Sequence, residues 1–143
     1  MNKKFILLSA AFLSAALLLV ACSKEGSEYE ELLAKEFAKD QDVIDYKLDP
    51  EDMANCVVDQ ISGDIPGFSG SPIYENYFKG YKLLLRPDDS SEIAERMEKA
   101  EEIFGSKKAA NKARLDVINH ILYCMPQVKE KNRGGLFNFG DDE

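Results

Sequence analysis

Residues 106–126, SKKAANKARLDVINHILYCMP, decide how this chain is to be read. Ala110, Ala113, Val117, Ile121 and Cys124 recur at spacings of three and four, the period of one helix face, after the capping residue Ser106. Leu115, Ile118, Leu122 and Met125 make a second stripe of the same period, so the later half of this helix is apolar nearly all round. A helix of that kind is buried on most sides, which predicts a central helix with the others packed around it. Pro126 is expected to end it at Met125.

Upstream, the same signals recur. Ser27-x-x-Glu30 is a capping box, predicting a helix from Ser27 to Lys39 that buries Tyr29, Leu32, Leu33 and Phe37. Asp49-Pro50 joins a capping side chain to a residue suited to the first helical position. The helix it starts is expected to run to Ser62 with Met53, Cys56, Val57 and Ile61 inward, and Gly63 to close it. Ser71-Pro72 repeats the device for a helix reaching Leu85 before Arg86-Pro87, and Gly80 inside it suggests a close approach of another helix or a kink. Asp88 to Ser91 supplies caps for a fourth helix, Ser91 to Phe104, with Ile93, Met97, Ala100 and Phe104 inward and Gly105 as its stop. Between the first two helices, Ile44, Tyr46 and Leu48 alternate as in a strand. No second strand offers to pair with them, so Asp40 to Leu48 reads as an extended connector with those three side chains docked. The fold class is all-α, a compact bundle of four to five helices.

The N-terminus carries a different signal. Met1-Asn2-Lys3-Lys4 is basic, Phe5 to Leu18 is apolar, and Leu19-Val20-Ala21-Cys22 follows. An apolar run of roughly 14 residues between a basic start and small residues is what a secretory signal needs, and it is short for a membrane span. The segment resembles the signal peptide and lipobox of bacterial lipoproteins. That resemblance implies a diacylglyceryl group on the sulfur of Cys22, cleavage before it and acylation of the new amino group. Ser23 at the next position implies sorting to the outer membrane, lipid-anchored and facing the periplasm. Each buried methylene contributes about 0.8 kcal/mol, so two or three chains make attachment effectively permanent. The residues alone also allow ordinary cleavage near Ala21 with an unmodified Cys22, or an uncleaved anchor. The chain then divides into a signal at 1–21, an anchor and short spacer at 22–26, a helical domain at 27–126 and a flexible acidic tail at 127–143. Within that tail Leu136, Phe137 and Phe139 form an apolar island before Asp141-Asp142-Glu143.

With Cys22 assigned to lipid, Cys56 and Cys124 are left as an even pair in an exported chain, where disulfides persist. They are expected to join, and closing a loop of roughly 70 residues stabilises a fold by about 4 kcal/mol on chain entropy.

Charge and motif exclude several functions. The formal balance is −8, and removing residues 1–21 takes Lys3 and Lys4 without any acid, so the remainder is more acidic still. Phosphate backbones and anionic headgroups are therefore poor partners, and no nucleic acid is expected. Asp40, Asp42 and Asp45 miss the calcium-loop spacing, because the sixth position is Asp45 rather than glycine. Gly67-Phe68-Ser69-Gly70-Ser71 is neither a nucleophile elbow nor a phosphate loop. No metal and no cofactor is expected, and no enzymatic activity. The expectation is a binding or assembly accessory for an envelope protein or peptide, similar to pilotin lipoproteins in architecture only. The alternative is a small cell-envelope hydrolase or thiol enzyme, using the glycine-rich loop or Cys124 polarised by His120. Tyr74, Tyr77, Phe78 and Tyr81 carry more aromatic surface than one helix face easily buries, so the partner-binding surface is expected at Tyr74 and Tyr77 with Phe68.

Overall fold

The computed structural model describes residues 23–85 and 90–134. The signal segment, Cys22, the Arg86-Pro87 stop, the caps Asp88 and Asp89 and the apolar island at Leu136, Phe137 and Phe139 lie outside those residues. Among the described residues six α-helices follow one another: α1 (Lys24–Phe37), α2 (Gln41–Asp45), α3 (Pro50–Asp64), α4 (Pro72–Leu84), α5 (Ile93–Phe104) and α6 (Lys107–Gly134), with a 3-10 turn at Ser90–Glu92 before α5. The fold is all-α, as the periodicities require.

Three helix starts fall where the sequence puts them. The side chain of Asp49 accepts from the backbone of Glu51 and Asp52, that of Ser71 from Tyr74, and that of Ser106 from Ala109. Gly105 ends α5 in the left-handed conformation at φ 85°, which costs glycine little. Gly80 marks a close approach: a Cβ there would lie 2.8 Å from Cε2 of Phe104 and 3.0 Å from Cγ2 of Ile103, so α4 and α5 pack with nothing between them at that point.

Close packing partners run α1–α3–α6–α5–α4 and back to α1. Among the largest fully buried side chains, Tyr29, Phe78, Met53, Ile61 and Val57 come from α1, α3 and α4 and Cys124 from α6, so the core lies mainly among the first three and α6 closes it with Ala113, Cys124 and Val128. Tyr29, Phe78 and Tyr81 meet there as tilted rings with centroids 5.8 to 6.2 Å apart. The disulfide joins Cys56 of α3 to Cys124 of α6, with Cα atoms 5.9 Å apart and 68 residues of separation. It staples α6 to the core from one side.

Several boundaries differ from expectation, each for a tertiary reason. α1 begins at Ser23 rather than Ser27: the Ser23 hydroxyl accepts from Gly26, and Ser27 lies inside the helix with its hydroxyl bonded to the Ser23 carbonyl. Glu75 on α4 accepts from the Glu25 amide at 2.8 Å, a cap supplied from 50 residues away, which adds the extra turn. Residues 41–45 are helical, because Asp40 caps Asp42 and Val43; Val43 and Leu48 are the buried residues there, whereas Ile44 and Tyr46 are exposed. α3 runs past Gly63 to Asp64 and stops at Ile65, which precedes Pro66 and is held extended by it. In α5 only Ala100 is fully buried, and Ile93 is exposed.

α6 gives the largest differences. It is one wall of the fold rather than its centre, for Leu115, Ile118 and Leu122 are exposed. Nor does it stop at Pro126, which sits inside it. An interior proline costs a helix about 3 kcal/mol. Against that, Cys124 and Val128 are buried on either side and Lys131 pairs with Asp52 of α3 at 2.7 Å, so packing carries the helix through.

Candidate functional site

α1 and α6 both pack on α3 without packing closely on each other, and an apolar groove of about 540 Å³ opens between them. Tyr29, Leu33 and Phe37 of α1 form one wall, Val117, Ile118 and Ile121 of α6 the other, and Leu84 and Leu85 at the end of α4 close one side. Glu36, Lys39, Asp40 and Arg114 rim it with both signs of charge.

The α4 end of the groove is held by Arg96 of α5. Its guanidinium donates to the carbonyls of Lys82 at 2.8 Å, Leu83 at 3.2 Å and Leu85 at 3.2 Å, satisfying acceptors that a helix C-terminus leaves open. The α1 side is held by Lys82, whose ammonium pairs with Glu25 and, at 2.8 Å, with Glu28. Lys82 thus ties α1 to α4 through its side chain and α4 to α5 through its carbonyl.

Beside the groove, α6 shows an apolar ridge. Leu115 is 55 % exposed, Ile118 48 % and Leu122 62 %. These are the second stripe that the sequence placed in the interior. Their period was legible, but whether another helix covered them was not.

The partner-binding trio expected at Tyr74, Tyr77 and Phe68 is dispersed. Tyr74 is a core residue, only 8 % exposed, with its ring edge-on to Phe78 at 5.3 Å. Its outward placement is corrected by that packing: α1 and α5 absorb most of the aromatic band. Tyr77 is half-buried against Phe104, at 5.4 Å and nearly perpendicular. Phe68, at 75 % exposure, is the most open large apolar side chain among the described residues.

Cys124 is fully buried and bonded to Cys56, so in this state it has no thiol for His120 to polarise. His120 instead lies 3.0 Å from Asp64 at the end of α3. Burial, then the charges of Asp116 and Asp64, push the Tyr81 hydroxyl up to about 12, which keeps it neutral at ordinary pH. In the glycine-rich turn, the Ser71 hydroxyl is buried and occupied as the cap of α4. Among the described residues no cluster of three or more His, Cys, Asp or Glu is placed to hold a metal ion, and no helix is long and apolar enough to cross a membrane.

Compared with family models, curated proteins and solved structures, the chain matches none.

Proposed function

We propose that this protein is a lipid-anchored envelope protein, attached through acyl groups on Cys22 and facing the periplasm from the outer membrane, that binds a helical segment of another envelope protein in the groove between α1 and α6. The Leu19-Val20-Ala21-Cys22 sequence behind a basic and apolar leader supports the anchor. The observation that carries the binding role is the groove itself. Its lining sets the buried Tyr29, Leu33 and Phe37 of α1 beside the more accessible Arg114, Val117, Ile118 and Ile121 of α6, each set at helical spacing. Such walls run about two turns, roughly 11 Å, and an amphipathic helix with apolar residues at i, i+3 or i+4 and i+7 fills a slot of that length. The mixed charges at Glu36, Lys39, Asp40 and Arg114 suit the polar flanks of such a helix.

Two measurements test the two halves. Mass spectrometry of the mature N-terminus is expected to show an acylated Cys22 and Cys22→Ala to block processing; an unmodified Cys22 as the main product would refute the anchor. For the groove, a synthetic amphipathic helical peptide with leucines at i, i+4 and i+7 is titrated by fluorescence anisotropy. Ile118→Asp and Ile121→Asp are expected to weaken binding at least about tenfold, since a charge replaces apolar contact. Equal binding by the native and substituted proteins, with the fold intact by circular dichroism, would refute the groove.

A further inference from the structure

α1 and α4 begin side by side. Ser23 caps the first and Ser71 the second, and the Glu25 amide donates to Glu75 at 2.8 Å, so the first turns of the two helices touch. Farther along, Leu33 and Phe37 of α1 and Leu84 and Leu85 at the close of α4 line the same groove, so the two helices run in one direction and share an end. At that end the turn before α4 presents Phe68, 75 % exposed, and the first turn of α4 presents Ile73, 49 % exposed.

Phe68 stands there on a closed turn. Its amide donates to the Ser71 hydroxyl at 3.4 Å, and its carbonyl accepts from the Ser71 amide at 2.9 Å. Gly67 takes a φ of 96°, and a Cβ on it would lie 2.7 Å from Cγ2 of Ile73, so the turn is seated on the Ile73 side chain. The two exposed apolar residues thus belong to one small patch. The carboxylates of the two first turns are occupied: Glu25 pairs with Lys82, and of the Glu75 oxygens one accepts from the Glu25 amide and the other is buried.

Chain connectivity decides what this end meets. α1 is helical from Lys24, and Gly26 is already packed, since a Cβ there would fall 3.3 Å from Cε2 of Phe78. Cys22 is bonded to the cap Ser23, about 3.8 Å away from Cα to Cα, so an acyl group on its sulfur is attached at the shared end of α1 and α4. A side chain tethered that closely to a bilayer meets it at high effective concentration, and phenylalanine is among the residues that enter the headgroup boundary.

We infer that the end of the fold bearing Phe68 and Ile73 faces the lipid bilayer, with Phe68 entering the boundary between headgroups and acyl chains. This orientation rests on the acylation of Cys22 proposed above, and it turns Phe37 and the far end of the groove away from the membrane.

The chain has no tryptophan, so Phe68→Trp places a single reporter at an already exposed position. Tyr46→Trp is the control, because Tyr46 is exposed beyond the other end of α1, whose 14 residues span about 21 Å. Each full chain, its Cys22 checked by mass spectrometry, is floated with phosphatidylcholine vesicles whose acyl chains are plain or brominated. The Phe68→Trp protein is expected to shift its emission to the blue and to lose about half of it to bromine, since side chains at the interface sit roughly 5 to 10 Å deep. The Tyr46→Trp protein is expected to change little. Acylated, floating protein in which the two reporters respond alike, or in which Phe68→Trp is blue-shifted without quenching because protein covers it, would overturn the orientation and leave the anchor standing. An unmodified Cys22 would overturn the anchor, and the orientation with it.

Discussion

Arg96 donates its Nη2 to the carbonyl of Lys82 at 2.8 Å, and in doing so α5 closes the C-terminus of α4. The same guanidinium reaches Leu83 and Leu85, so one side chain satisfies three carbonyls that would otherwise face a partly buried helix end. Hydrogen bonds from a charged donor contribute about 1.5 to 3 kcal/mol, and the carbonyls left open add a desolvation cost. Arg96→Ala is expected to destabilise the protein by roughly 2 to 3 kcal/mol. Arg96→Lys should recover only part of the loss, because an ammonium lacks the planar fork. Urea denaturation of the three proteins measures the order.

Gly80→Ala sets two effects against each other. Alanine in place of an interior glycine gains a helix about 1 kcal/mol. The new Cβ would stand 2.8 Å from the Phe104 ring, which is held edge-on between Tyr77 and Tyr81 and cannot swing aside. Overpacking of that kind costs typically 1 to 3 kcal/mol, so a net loss of about 1 kcal/mol is expected. An increase in the denaturation midpoint would show that α5 yields without cost.

The bridge between Cys56 and Cys124 closes 68 residues of chain, and its reduction is expected to lower stability by up to about 4 kcal/mol. Alkylation of the oxidised protein should label neither residue. Labelling of Cys56 or Cys124 before reduction would contradict the bridge.

The link from Lys82 to Glu28 predicts the shape of the pH dependence. The Glu28 carboxyl is held below its ordinary 4.5, first by the hydrogen bond from Lys82 and then by its charge. A carboxyl lowered in the folded state stabilises above its unfolded value, and that contribution is lost as pH falls through the lowered one. For the Lys82 amine, burial pulls downward, but the hydrogen bonds and charges of Glu25 and Glu28 outweigh it and leave the group above its ordinary 10.5. A raised amine stabilises below its unfolded value and loses that contribution as pH rises through the raised one. Denaturation midpoints of the native protein and Lys82→Met, compared from about pH 3 to about pH 11, should differ most between the two limits and converge beyond both. A constant difference across the whole range would remove the ion pair as the cause.

The sequence by itself determined five of the six described helices and the starts of three, because Asp49-Pro50, Ser71-Pro72 and Ser106 act on backbone groups within three residues of themselves. It pointed to Cys56 and Cys124 as disulfide partners on the expectation that Cys22 carries lipid, and to Gly80 as a close approach or a kink, and the structure shows the bridge and the close approach. Only the tertiary structure decided which apolar face of α6 is covered. The stripe through Val117 and Cys124 and the stripe through Leu115, Ile118 and Leu122 have the same period and are both apolar, and a helix's own residues do not say which side its neighbours occupy. The same holds for Tyr74, whose burial depends on α1 lying across α4, and for Pro126, whose helix-breaking preference yields to Cys124, Val128 and Lys131 on α3. The first turn of α1 was hidden for a similar reason: beside the local cap Ser23, its Glu25 amide is met by Glu75 on another helix, and a partner at that distance leaves no mark in the neighbouring residues. The groove between α1 and α6 belongs to this second kind of knowledge, since a space between two helices is set by what holds them apart.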